Sequence, residues 1–359
     1  MAVGTPILAS DYNNIFNSIS SVVGPSTSNA DLGYGRTLTA GTVVGGSTPG
    51  VSDTVTQLQQ FNLYLDLQGC YVHQNASASN AIATGDFDVG DPIVYANITK
   101  FTNLLNSCTA FNSASTEFPT ANFDESNMTT SGSVSVSSSR SSAWGTGANA
   151  RIAHRVTVSW ASAADRNEYF NAGGQIRFEA SLTGGSTGTA NTKDWDWNRI
   201  LAEMGKIRFW KMGTEYKTES LGTGGTGSTY TIGSISTNTA VSGGFFNSAT
   251  RLYTKQGGGV TGGNPGTVPV TQIYDDNEYQ INLVIPSSSQ MTFEIIFDDS
   301  DAGTGGQSEG VNDPIDEQVG GTVTSNLLTF TPNSSFTIGA SSYDAVVQVA
   351  PTGTVDSSL

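Results

Sequence analysis

Apolar residues near the start of the chain recur three and four positions apart. Tyr12, Ile15, Phe16, Ile19, Val22 and Val23 form one stripe, and Asn13, Asn14, Asn17 and Ser21 lie on the opposite side. This spacing predicts an amphipathic helix, with Ser10 as its N-cap and Gly24 as its stop. The stripe has to be covered by another part of the chain or by a neighbouring subunit, and the pattern leaves both open. After a Gly/Thr-rich passage from Gly33 to Gly50, a second helix is predicted beyond Asp53, through Val55, Leu58, Phe61, Tyr64 and Leu65. A third is predicted from Asp91-Pro92 through Val94, Ile98, Phe101, Leu105 and Cys108, because Asp caps well and Pro suits the first helical position. No seven-residue pattern persists for three heptads, so the three helices read as a small module rather than a coiled coil.

From about Ser131 the period drops to two. Val134 and Val136 alternate with serines, then Val156, Val158 and Trp160 with polar residues, and Ile176, Phe178, Ala180 and Leu182 continue the alternation. Ile207 and Phe209 follow, then Tyr279, Ile281, Leu283 and Ile285, then Phe293, Ile295 and Phe297. Half-buried strands punctuated by Gly and Ser predict an antiparallel sandwich or jelly-roll-like body. Helical spacing returns at Trp197, Ile200, Leu201 and Met204, and Gly205 ends it ahead of a strand over 206–211. Ser162 and Asp165 are placed to cap a short turn carrying Tyr169 and Phe170, and Gly173-Gly174 allows a tight turn into a strand over 175–182.

The fold class expected is therefore α+β and mainly β, with one or two helices inserted in the body. Residues 1–110 are expected to form a helical docking module, 111–130 a linker, 131–310 the antiparallel body, and 311–359 a C-terminal extension. Val323, Leu327, Leu328 and Phe330, and later Ala345, Val347 and Val349 before Pro351, are expected to form edge strands of the body or to reach a neighbour.

Composition narrows the function classes. The 359 residues carry 15 Lys+Arg against 31 Asp+Glu, a net charge of -16, which argues against nucleic-acid binding through a basic face. Charged residues make up only 13%, so hydroxyls and amides must carry much of the surface. The 42 glycines and abundant Ser and Thr disfavour an all-helical fold. No run of about 18 apolar residues marks a membrane span. The opening Met1-Ala2-Val3-Gly4-Thr5-Pro6 does not read as a secretory signal, so synthesis in a cytosol is expected, and no membrane partner.

The chemistry-bearing residues are sparse. Cys70 and Cys108 are too few for a disulfide scaffold and read as buried free thiols. Cys70 and His73 are three apart, but no second donor pair with metal-like spacing accompanies them. His154, the other histidine, reads as a surface residue of a strand. Asp298, Asp299 and Asp301 before Gly303 match part of a calcium loop without its closing glutamate, and a turn closing a strand over 292–298 explains the same residues through local backbone bonding. Asp275, Asp276 and Glu278 would join such a site only if folding brought the two turns together. Asp194, Asp196 and Glu203 surround Trp195 and Trp197, a combination found in sugar sites, while capping and the helix dipole explain the aspartates and core packing explains Trp197. No catalytic residue, cofactor or metal ligand is assigned.

The blocks ADRNEYFNAGGQIRFEASLTGG at 164–185 and NTKDWDWNRILAEMGKIRF at 191–209 resemble a virion structural protein family of tailed bacteriophages, particularly marine contractile-tailed ones. ILASDYNNIFNSISSVVG at 7–24, LGYGRTLTA at 32–40 and QFNLYLDLQGCYVHQN at 60–75 resemble the family's N-terminal pattern, and EYQINLVI and MTFEIIFDDSDAGTGG its late strands. The resemblance covers most of residues 7–306. It implies a particle component assembled in the host cytoplasm, with no activity or cofactor to carry over. A helical module ahead of a β body suits a tail, baseplate or fibre-attachment adaptor, with capsid decoration or a glycan-binding fibre module as alternatives. On this reading the partners are other virion structural proteins and sister chains, and the stripe Tyr12, Ile15, Phe16, Ile19, Val22 and Val23 is the assembly interface.

Overall fold

The alternation that begins near residue 131 is realised as two antiparallel sheets. The structure, a computed structural model, describes residues 9–23, 55–75, 99, 127–137, 151–188, 192–212, 215–220, 230–233, 250–256, 277–299, 318–332 and 348–352. Among these, strands β1 (Met128–Ser137), β3 (Gln175–Thr183), β4 (Ile207–Met212), β5 (Glu215–Ser220), β6 (Tyr230–Gly233) and β10 (Thr322–Pro332) make a sheet in the order β1-β10-β3-β4-β5-β6. Strands β2 (Arg151–Ser159), β7 (Thr250–Gln256), β8 (Glu278–Ser287), β9 (Gln290–Asp298) and β11 (Gln348–Thr352) make the other, in the order β11-β2-β9-β8-β7. β1 pairs with β10 and β2 with β9, a nested arrangement that gives the body its jelly-roll-like character.

Register explains why one face of each sheet is apolar. In the first sheet Val134 lies opposite Leu327, Leu327 opposite Phe178, and Phe178 opposite Ile207. In the second, Val156 lies opposite Phe293 and Phe293 opposite Leu283. The two rows meet across the sandwich, where the rings of Phe178 and Phe293 lie 4.9 Å apart edge to face and Phe209 meets Phe293 at 5.8 Å. A one-residue slip in any of these strands would turn its whole inward set outward.

Among the described residues two helices lie in the connections between strands. Helix α3 (Ala163–Asn171, numbered after α1 and α2 of the N-terminal segment described below) links β2 to β3. Ser162 caps it as expected, accepting from the Asp165 N–H at 3.1 Å and donating to the Asp165 carboxylate at 2.8 Å. Tyr169 and Phe170 point into the core, and the Tyr169 hydroxyl contacts the carbonyls of Gln175 at 2.6 Å and Phe330 at 2.9 Å. Gly173 has φ of 88°, and a Cβ on Gly174 would fall 2.5 Å from the Tyr169 carbonyl oxygen. The glycine pair is thus required by backbone conformation and by close approach respectively.

Helix α4 (Lys193–Met204) links β3 to β4. Within β3 it is residues 175–178 that pair with β4, whose other side pairs with β5, and α4 packs on β3 before the chain turns into β4. Trp197, Leu201 and Met204 sink into the core, and Gly205 ends the helix at φ of 59°.

The N-terminal segment contributes α1 (Ala9–Val23) and α2 (Gln57–Asn75), which meet through the Tyr12 hydroxyl donating to the Gln59 carbonyl at 3.2 Å. Ser10 lies inside α1 rather than capping it. α2 starts at a capping box: Thr56 accepts from the Gln59 N–H, and the Gln59 side chain accepts from the Thr56 N–H. Val72 of α2 and Leu328 of β10 pack against Met128, Trp210 and Phe330, which lie on the outer face of the first sheet. The expected helix from Asp91 falls, apart from Thr99, outside the described residues.

The C-terminal expectation needs correction in one part. β11 is an edge strand of the second sheet, with Pro351 opposite Val156, a place where the missing N–H leaves no gap in the interior of a sheet. β10 is not an edge strand: it lies between β1 and β3 in the first sheet, so residues 322–332 belong to the body. Ser325 and Thr329 interrupt its inward-facing apolar residues, which weakens the sequence signal of a central strand.

Candidate functional site

Among the described residues, a group of buried charged side chains, Lys193, Asp194, Asp196 and Asp299, gathers around the start of α4. Thr192 is the N-cap, its hydroxyl accepting from the Trp195 N–H at 3.2 Å. That frees Asp194 for a different task from the capping expected of it. Its carboxylate accepts from the backbone N–H groups of Ser186 at 2.9 Å, Gly320 at 3.2 Å and Gly321 at 2.7 Å. One side chain therefore ties the β3–α4 turn to the residues that lead into β10. Gly185, at φ of 62°, lies against this carboxylate, where a Cβ would collide with it.

Beside it, Lys193 and Asp299 form an ion pair of 2.9 Å with both side chains fully buried, and the Trp197 indole N–H donates to the other oxygen of Asp299 at 3.3 Å. Asp298 pairs with Arg151 at 2.6 Å across the β9–β2 register. These aspartates thus bind cationic side chains and an indole, partners that neither the turn reading nor the partial calcium-loop match named. Among the described residues no group of three or more His, Cys, Asp or Glu side chains is arranged to hold a metal ion. Asp275, Asp276 and Asp301 lie outside the described residues. Glu278 is hydrogen-bonded by the Gln280 amide at 2.6 Å.

The sugar-site grouping also separates in space. Asp194, Asp196 and Trp197 are buried, whereas Trp195 is partly exposed and its ring lies under the Arg199 guanidinium at 4.6 Å. The side chain of Glu203 is outside the described residues.

His154 is the clearest departure from expectation. It is not a surface residue: at 1% exposure it projects inward from β2, and its Nδ1 lies 2.9 Å from the hydroxyl of Ser325 on β10. The Phe297 ring meets the imidazole edge-on at 5.5 Å. Burial without a charged partner pushes its pKa down to about 4. The strand parity was legible, since His154 shares it with Ile152, Val156 and Val158. Its partner was not, because Ser325 is one of many serines and sits 171 positions away.

The expected assembly stripe is largely covered from within the chain. Tyr12, Ile15 and Ile19 are buried, and Phe16 is half-buried. The side chains of Val22 and Val23 lie outside the described residues, as does that of His73. The first of the two alternatives for covering the stripe therefore holds for those three residues, and they offer no free face to a neighbour. Cys70 is buried and free of any disulfide, as expected, and Cys108 lies outside the described residues. The large apolar side chains that stand exposed among the described residues are instead Leu58 and Leu65, one heptad apart on α2.

Among the described residues no helix is long and apolar enough to cross a membrane. Comparison of the chain with protein-family models, with curated proteins and with solved structures returned no match.

Proposed function

We propose that this chain is a non-enzymatic structural subunit of a tailed-phage virion, built into the tail, baseplate or fibre-attachment region and acting through protein–protein assembly. The observation that carries the reading is the use made of its buried reactive groups. Asp194 is bound by three backbone N–H groups, Asp299 by Lys193 and Trp197, and His154 by Ser325. A general acid or base needs a proton route to a substrate and a pKa near the working pH. These groups are turned to joining elements distant in sequence, as a load-carrying scaffold requires. The sequence blocks that resemble phage virion proteins supply the particle context, and the mainly β sandwich with polar outer positions fits an extracellular particle.

A cryo-EM map of the intact particle tests the reading. The expected result is density for the two-sheet body in several symmetry-related copies at the tail or baseplate, contacting other virion proteins. Density on the capsid shell would move the assignment to decoration, and absence of the chain from purified particles would overturn it.

A further inference from the structure

We propose that the His154–Ser325 contact is a pH-sensitive latch between the two sheets, closed when the imidazole is neutral and opened by its protonation. The proposal rests first on placement. His154 projects from β2 of one sheet and Ser325 from β10 of the other, so their 2.9 Å hydrogen bond spans the sandwich core. Both residues are buried, at 1% and 0% exposure. The second nitrogen, Nε2, is buried and has no hydrogen-bond partner.

A neutral imidazole tolerates this environment: it carries no charge, and in the tautomer whose Nδ1–H donates to the Ser325 hydroxyl the other nitrogen holds only a lone pair. Protonation puts an N–H on both nitrogens and a charge on the ring. Nε2–H then has no acceptor, and the cation lies among apolar groups in a low dielectric.

Among the described residues the groups around the imidazole offer no compensating anion. β10 supplies Ser325, and residues 322–332 contain no ionisable side chain. β9 supplies the Phe297 ring, against which the Tyr279 ring of β8 also packs at 5.2 Å. The ionisable residues of β2 and β9 sit at the opposite parity and are committed to each other, Arg155 to Glu294 at 3.0 Å and Arg151 to Asp298 at 2.6 Å. At the α4 end, the carboxylate of Asp299 is bound to Lys193 and to the indole N–H of Trp197, whose ring contacts Phe297.

The sign follows from linkage. The folded-state pKa of about 4 lies below the ordinary value of 6.5, so the fold favours the neutral ring. The stabilisation is fully present above pH 6.5 and is lost as pH falls toward 4. For one proton the folding equilibrium constant drops about 20-fold between pH 7 and pH 5, a range in which ordinary carboxylates remain mostly ionised.

The experiment is chemical denaturation of the full chain at pH 7, 6 and 5, followed by near-UV circular dichroism, for the wild type, His154→Gln and His73→Gln. The wild type and His73→Gln are expected to lose stability by this factor, and His154→Gln to lose far less. An unchanged pH dependence in His154→Gln would overturn the latch. Should that variant fail to fold, NMR titration of the His154 ring in the native wild type decides: a midpoint below pH 5 supports the proposal, and one near 6.5 refutes it.

Discussion

The carboxylate of Asp194 and the backbone N–H of Gly321 are 127 positions apart in sequence and 2.7 Å apart in space. With the bonds from Ser186 and Gly320, this carboxylate holds two loops together at one end of the sandwich. Asp194→Asn keeps the shape but replaces one acceptor oxygen with a donor facing N–H groups. Loss of charge-assisted bonds and a mismatched amide are expected to cost about 2–4 kcal/mol. Urea denaturation measures it, and a change within experimental error would remove Asp194 from its tying role. The expected loss is one of stability and does not depend on any substrate.

Lys193 and Asp299 give a second prediction. Lys193→Met leaves a buried carboxylate without its cationic partner, and breaking such a pair typically costs about 3–5 kcal/mol. Replacing both, as Lys193→Met with Asp299→Leu, is expected to recover part of that loss because no charge stays uncompensated. A double-mutant cycle in urea reads the coupling directly, and strictly additive losses would show that the pair does not act as a unit.

The α3 corner predicts a steric effect. A Cβ on Gly174 would meet the Tyr169 carbonyl at 2.5 Å and its ring at 2.7 Å, so Gly174→Ala must displace the helix end or the buried ring. The expected cost is about 1–3 kcal/mol, the range for overpacking. Tyr169→Phe removes the hydroxyl contacting Gln175 and Phe330 and leaves their carbonyls short of a donor, with an expected cost of about 1–3 kcal/mol. Differential scanning calorimetry of the two variants checks both.

Alkaline titration probes the α1–α2 contact. Burial, with the Asp66 carboxylate contributing, pushes the Tyr12 phenol up to about 12. The folded pKa lies above the ordinary value of 10, so the helix pair favours the neutral phenol, and its contribution is present below pH 10 and lost as pH rises toward 12. The difference in tyrosinate absorbance between wild type and Tyr12→Phe is expected to develop near pH 12. A midpoint near 10 would mean that Tyr12 is open to solvent.

Periodicity and capping by themselves determined the mainly β class, the strands around Val156, Phe178, Ile281 and Phe293, and the helix that Gly205 stops, while the capped segment carrying Tyr169 and Phe170, expected as a short turn, is a helix over Ala163–Asn171. These follow from local rules: a period of two, a period near 3.6, and Ser or Gly where the backbone needs a cap or a left-handed turn. The helix expected beyond Asp53 starts at a capping box of Thr56 and Gln59, a four-residue signal that its apolar spacing did not name. What each polar residue bonds was decided only by the tertiary structure. Asp194 beside a helix start satisfies the pattern of a cap, yet its partners come from residues 186, 320 and 321. His154 has a surface-like neighbour in Arg155, yet the pairing of β10 between β1 and β3 presents Ser325 to it across the core. The stripe from Tyr12 to Ile19 was visible as a stripe, whereas its burial within the chain depends on surfaces that only folding brings together. Local spacing encodes which side of an element is apolar, and sheet register and long-range packing select what that side meets.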